Sequence, residues 1–240
     1  MLRTALVVLA VFGMIFLALP PLILLARIQG RPDVLYSVGR LGSRLALRLA
    51  GVHLQVRGLE QVDPKRNYLF LANHQGNCDP PVLLAVIPQN TRYILKKELN
   101  KIPILSIAMR MGSFVFIDRK DRVDSVRGMN EAVTQLQQGQ SFLVFPEGTR
   151  TRTGKMGEFK KGPFAIAMQS GVPIVPITIK GSFEVMPPTR FRINPGIISL
   201  TFHPPLEPRN FPPDDRNLLR ENVQKIIASG LMETEEEFQT

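Results

Sequence analysis

Cysteine occurs once in the 240 residues, at position 78, and tryptophan not at all. One thiol excludes a disulfide scaffold and a cysteine-based structural zinc site, and it points to a reducing compartment. The three histidines, His53, His74 and His203, stand far apart in the chain, and no cluster of ligating residues has metal spacing, so no metal is expected. A G-x-S-x-G nucleophile elbow is missing too, which argues against a serine hydrolase; a hydrolase in which His74 activates water remains a lesser alternative. Lys plus Arg exceed Asp plus Glu by 30 to 20, and four of the acids crowd into residues 233–240. The rest of the chain is therefore more basic still and should seek anions. With aromatics at 7% and no RNA-binding fingerprint, nucleic acid is excluded as the partner, which leaves an anionic phospholipid membrane or a phosphorylated substrate.

Charge is missing altogether from residues 4–26, between Arg3 on one side and Arg27 and Arg31 on the other. Such a run can cross a hydrocarbon core of about 30 Å as a helix, and no small-residue cleavage site follows it, so it reads as a retained membrane anchor. Pro20-Pro21 removes two backbone donors and predicts a bend or break towards the end of that helix, which keeps a re-entrant helix open beside a spanning one. No Glu precedes Glu60 and no Lys precedes Lys65. An amphipathic helix is expected over 33–50, with Asp33 as N-cap and Gly51 as C-cap. Arg40, Arg44 and Arg48 line one face of it, and Leu41, Leu45 and Leu49 an adjacent one. Directly after an apolar run, this arginine stripe is expected to bind the membrane through anionic headgroups. Residues 1–50 thus read as a two-helix membrane module. The arginine excess on its C-terminal side puts the remainder in the cytoplasm if the first helix spans, and so at the cytoplasmic face of an inner membrane.

From residue 51 to 230 the pattern predicts one α/β domain, a mixed and largely parallel sheet flanked by helices. Strands are expected at 53–57, 68–72, 92–95, 113–117, 141–145, 174–179 and 197–202, and helices at 80–87, 102–111, 124–138, 163–170 and 216–228. Residues 231–240 form an acidic tail of disordered composition.

The sharpest feature follows the second strand, in Asn73-His74-Gln75-Gly76-Asn77-Cys78-Asp79-Pro80-Pro81. The ends of α/β strands are where such sheets carry reactive groups, Gly76 permits a sharp turn, and Pro80 suits a helix start. In that geometry Asp79 holds one imidazole nitrogen of His74 and leaves the other as an acceptor, the arrangement of a general base. Asp79 also suits a plain N-cap, although Pro80 and Pro81 offer it no N–H. Cys78 competes with Asp79 for the same place beside the histidine and reads as packing. Phe145-Pro146-Glu147-Gly148-Thr149-Arg150 is again a strand running into a turn, Arg119 ends a third strand and Lys96-Lys97 a fourth. Their shared position at strand ends predicts a cleft that combines a base with phosphate-binding cations.

NHQGNCDPP, GSFVFIDR, FPEGTR and GVPIVPI, in this order, resemble the four motifs of the glycerolipid acyltransferases, most closely the bacterial 1-acyl-sn-glycerol-3-phosphate acyltransferases. The resemblance covers about 54–202 and includes FKKGPFAIA from Phe159. It implies that His74 takes the proton from a glycerol hydroxyl with Asp79 as its orienting partner, and that the oxygen attacks an acyl thioester. Lysophosphatidic acid and acyl-CoA or acyl-ACP are the implied substrates, phosphatidic acid the product, and no cofactor or metal is implied. Arg119, Glu147 and Arg150 are similar to residues that grip the glycerol phosphate, with Gly148 and Thr149 shaping that loop and Lys96 and Lys97 adding charge. Pro176 would wall the acyl pocket. The interior of the first motif, QGNC, departs from the family's usual Ser and apolar or aromatic residue, which leaves another lysophospholipid or an acylated amino lipid open as acceptor. A non-catalytic basic membrane-binding protein is the reading from a different class.

Overall fold

The computed structural model describes residues 2–190 and 192–232; the acidic stretch 233–240 lies outside the described residues. Among the described residues, seven strands form one sheet: β1 (Val52–Arg57), β2 (Leu69–Ala72), β3 (Thr91–Lys96), β4 (Val115–Ile117), β5 (Ser141–Val144), β6 (Ile174–Lys180) and β7 (Gly196–Phe202). Their spatial order is β1-β7-β6-β2-β5-β3-β4, and every neighbouring pair is parallel except the antiparallel β6 and β7. Each β-rich run predicted a strand where one stands. The fourth is shorter than expected, because Ser113 takes a φ of 60° and cannot continue a ladder.

Nine α-helices are described: α1 (Leu2–Gly13), α2 (Leu19–Ile28), α3 (Asp33–Ala50), α4 (Asp79–Val86), α5 (Pro103–Met111), α6 (Arg122–Gln137), α7 (Gly162–Ser170), the single turn α8 (Ser182–Val185) and α9 (Arg216–Met232). They cover both sheet faces, so central strands are apolar throughout; all four residues of β2 are buried. Strand alternation divides them. Phe70 and Ala72 join a core with Leu47 of α3 and Val82 and Leu83 of α4, whereas Leu69 and Leu71 join one with Leu136 of α6, Phe164 of α7 and Val223 of α9. Full burial of each large side chain contributes about 1.5–3 kcal/mol relative to exposure.

The N-terminal segment is a helical hairpin. From Arg3 to Ile28 it is long and apolar enough to cross a membrane, and Leu9, Phe12, Leu17 and Ile28 are exposed. The prolines do not break it. Met14–Ala18 forms a π-helical turn ahead of them, and Pro20 and Pro21 lie in the first turn of α2, where missing N–H groups leave few hydrogen bonds unmade. α3 runs back antiparallel to it: the Met14 side chain lies against Gly42, and the Arg3 guanidinium lies beside Gly51 and Pro195. The Thr4 hydroxyl accepts the N–H of Ile193 at 3.2 Å, so the start of the chain is tied to the sheet domain.

The arginine stripe on α3 departs from expectation. Arg40 donates to the carbonyls of Pro88 and Gln89 and to the side-chain oxygen of Asn90, and Arg44 Nε donates to the carbonyl of Ala85. These acceptors sit at the C-terminal end of α4, whose last carbonyls have no partner within the helix and draw cationic donors. Arg40 and Arg44 therefore fasten the hairpin to the sheet domain; Arg40 is half-buried there, while Arg44 and Arg48 are exposed. Asp33 is the first residue of α3 instead of its cap, and its carboxylate accepts from Asn90 Nδ2 at 2.9 Å. Gly51 does close α3 in the left-handed conformation, at φ 68°.

Candidate active site

β2, β3, β4 and β5 run parallel and end on one side of the sheet, so the segments that follow them are brought together. Asn73 fixes the first. Its side chain donates to the carbonyl of Ile179 at 2.8 Å and accepts that residue's N–H at 2.7 Å, which locks the end of β2 to β6. The next residue is His74. After it the chain turns at Gly76, where an added Cβ would collide with the carbonyl of Ser182, and α4 begins at Asp79.

The turn brings Asp79 Oδ2 to 2.7 Å from His74 Nδ1. The same oxygen accepts the N–H groups of Gln75 at 2.8 Å and Gly76 at 2.9 Å, and the Asp79 side chain is fully buried. A carboxylate oxygen only accepts, so in the neutral ring Nδ1 carries the proton and Nε2 presents a lone pair. Nε2 makes no hydrogen bond among the described residues. The ring is flat against Phe145, 3.9 Å between centroids, with 14% of its side chain exposed. Asp79 does not cap α4; its carboxylate reaches back to the turn instead. Cys78 is buried, its Sγ lies 3.8 Å from the carbonyl of Ser182, and burial pushes its pKa up to about 12. A thiol so placed is inert.

The turn after β5 carries the cations. Gly148 adopts φ 73°, a conformation open to glycine, and its carbonyl accepts from Arg119 at the end of β4. Arg150 reaches across to the side-chain oxygen of Asn77, inside the first motif. Thr149 and Arg150 line a polar pocket of about 210 Å³ together with Lys155 and the acids Glu147 and Glu158. Lys96 pairs instead with Glu98 at 2.9 Å, and Lys97 starts the short 3-10 segment Lys97–Lys101. Lys155 is a residue that strand-end reasoning did not reach, since it lies far along a loop; the side chain of Lys160 packs over Gly148, and its signal was the FKK run.

Glu147 is not placed to grip a phosphate. It is 7% exposed, and its two oxygens accept the N–H groups of His74 and Gly157, each at 2.7 Å. Burial holds its pKa above the usual carboxylate range, against the pull of those two donors. Pro176 is likewise no pocket wall. It lies inside the sheet opposite Leu71, and its carbonyl accepts from His203 N.

An apolar cavity lies between the hairpin and the start of α4. It has about 280 Å³ and runs between Met14 and Leu19 of the hairpin, Tyr36 and Gly39 of α3, and Leu105 and Ala108 of α5. Pro80 and Pro81, which directly follow Asp79, form part of its lining, so it begins where the His74–Asp79 pair ends.

A family model described as Acyltransferase matches residues 53–180, which hold His74, Asp79 and the turns after β4 and β5. The chain belongs to the acyltransferase family. The acyltransferase is 33% identical over 205 residues to 1-acyl-sn-glycerol-3-phosphate acyltransferase alpha of Mus musculus, covering 84% of this chain and 72% of that one. It is 29% identical to the 1-acyl-sn-glycerol-3-phosphate acyltransferase of Saccharomyces cerevisiae, covering 97% and 77%. It spans 65–72% of the length of the mammalian relatives it matches. The crystal structure of the 1-acyl-sn-glycerophosphate (LPA) acyltransferase PlsC from Thermotoga maritima superimposes with a TM-score of 0.85 at 29% identity, covering 96% of this acyltransferase and 94% of that chain.

Proposed function

We propose that the acyltransferase moves a fatty acyl group from a thioester to the 2-hydroxyl of 1-acyl-glycerol-3-phosphate, giving phosphatidic acid. The observation that carries this reading is the position of the His74–Asp79 pair between an apolar cavity and a cationic turn. His74 Nε2 takes the proton of the hydroxyl while Asp79 holds Nδ1–H, and the oxygen attacks the thioester carbonyl. The tetrahedral intermediate expels the thiolate, which takes the proton back from the imidazolium. No covalent enzyme intermediate is needed, in keeping with an inert Cys78. Arg119 and Arg150 bind the phosphate in this scheme, and the cavity takes an acyl chain.

The relatives named for the same reaction support the acceptor, as does the nearness of Arg119 and Arg150, which meet Gly148 and Asn77 beside the first motif, to an apolar cavity. The hairpin supports membrane association: its apolar face is exposed, yet Arg3 at its start sits beside Gly51 at its end, as in a helix pair that enters one leaflet and returns. The face entered in this reading is the cytoplasmic one of an inner membrane, where the donor, acyl-CoA or acyl carrier protein, is met. In the deciding experiment, the purified protein in phospholipid vesicles receives lysophosphatidic acid and labelled acyl thioester. Labelled phosphatidic acid with one thiol released per acyl transferred is expected; label appearing only in free fatty acid, or only on another lysolipid from an acceptor panel, overturns the reading.

A further inference from the structure

His74 is held at four points. Its ring nitrogen meets Asp79 and its ring face meets Phe145, while its main chain is gripped on both sides: the N–H by Glu147 Oε1 at 2.7 Å and the carbonyl by the N–H of Thr151 at 3.0 Å. Three of the four holders come from the segment that follows β5. The same segment is stitched back further along, where Gln75 Nε2 donates to the carbonyl of Gly154 at 3.1 Å and Gly157 N–H donates to Glu147 Oε2 at 2.7 Å. Glu147 therefore joins the catalytic histidine and the far end of the 148–157 loop through a single carboxylate.

We propose that Glu147 is a positioning residue: it fixes the main chain of His74 and of Gly157, so that the base and the phosphate-binding loop are held in register as one unit. The inference rests on the acyl-transfer reading for its kinetic consequence and on geometry alone for the clasp. A carboxylate suits the task because each oxygen accepts, so both N–H groups are met by charge-assisted hydrogen bonds. An amide keeps one acceptor and turns a donor towards the other N–H. A phosphate contact is a poor fit, because a phosphate oxygen is an acceptor like those of Glu147, and the like charges repel. Gly157 has a matching constraint: a Cβ there would come within 3.1 Å of Glu147 Oε2.

The test compares the full-length protein with Glu147→Gln and Gly157→Ala in phospholipid vesicles, by amide hydrogen exchange and by steady-state kinetics. In both variants, exchange of peptides covering 73–79 and 155–159 is expected to speed up about tenfold while the strands β5 and β6 stay protected. A base displaced by an ångström costs about 10²-fold in kcat, with KM for lysophosphatidic acid changed by less than tenfold. A tenfold or larger rise in KM at unchanged kcat would show direct phosphate contact and overturn the proposal. So would unchanged exchange, or loss of protection across the whole sheet in both variants, which would make Glu147 a general support of the fold. If the wild type makes no phosphatidic acid, the acyl-transfer reading fails, and the exchange data still decide the clasp.

Discussion

Arg40 of α3 donates one guanidinium nitrogen to the side-chain oxygen of Asn90 at 2.8 Å and another to the carbonyl of Pro88 at 3.0 Å. The contact ties a residue that reads as membrane-facing to the loop after α4, the helix that begins with Asp79. Arg40→Ala leaves those acceptors without their donor at a cost of about 1 kcal/mol. In a chain of this size that lowers Tm by about 2–4 °C. Vesicle flotation of the variant should match the wild type. Lost flotation at an unchanged Tm would restore a headgroup role for Arg40.

The paired cations of the β4 and β5 turns make a prediction about the acceptor. If Arg119 and Arg150 bind the phosphate as proposed, Arg119→Ala and Arg150→Ala each remove a charge-assisted contact worth about 1.5–3 kcal/mol, so KM for lysophosphatidic acid should rise by about 10–100-fold. An acceptor without the phosphate should be used no worse by the variants than by the wild type. Equal losses with both acceptors would place these arginines in the structure of the loop instead.

Ala108 lines the apolar cavity from α5. Ala108→Phe fills part of that space, and each methylene displaced from an apolar site costs about 0.8 kcal/mol. Rates with long-chain thioesters should fall while those with the shortest donors persist. A uniform loss across chain lengths, measured by competition between two labelled donors, would remove the acyl chain from this cavity.

Cys78 gives a prediction of silence. A thiol whose pKa is pushed up to about 12 by burial has a thiolate fraction of about one in ten thousand at pH 8. N-ethylmaleimide should leave the folded protein unlabelled and fully active, and should label it rapidly once denatured. Inactivation in step with labelling of the native protein would bring the thiol into the reaction.

Some of this structure was legible in the sequence because the causes are local. The apolar runs gave the central strands β2, β5 and β6, since a strand buried on both faces is largely apolar. His74 and Asp79 lie within one turn, so Gly76 and Pro80 between and beside them carried the geometry. What escaped depends on partners distant in the chain. Arg40 and Arg44 face residues 41 to 50 positions away, and nothing within α3 distinguishes a helix-capping arginine from one that meets lipid. Glu147 reads as a site acid in the motif, and only the fold reveals that its oxygens are filled by the N–H groups of His74 and Gly157. The π-helical turn before Pro20 was hidden for a different reason: a break and a widened turn answer the same missing donors, and tertiary packing selects between them.

The proposed acyl transfer depends on His74 as the base. Its most direct test is the initial rate of labelled phosphatidic acid formation by His74→Ala, in the same vesicles and at the same saturating lysophosphatidic acid as the wild type. A general base contributes about 10²–10⁴-fold, so the rate should fall by at least that much while Tm stays within a few degrees. A correctly folded His74→Ala protein that forms phosphatidic acid at close to the wild-type rate would contradict it.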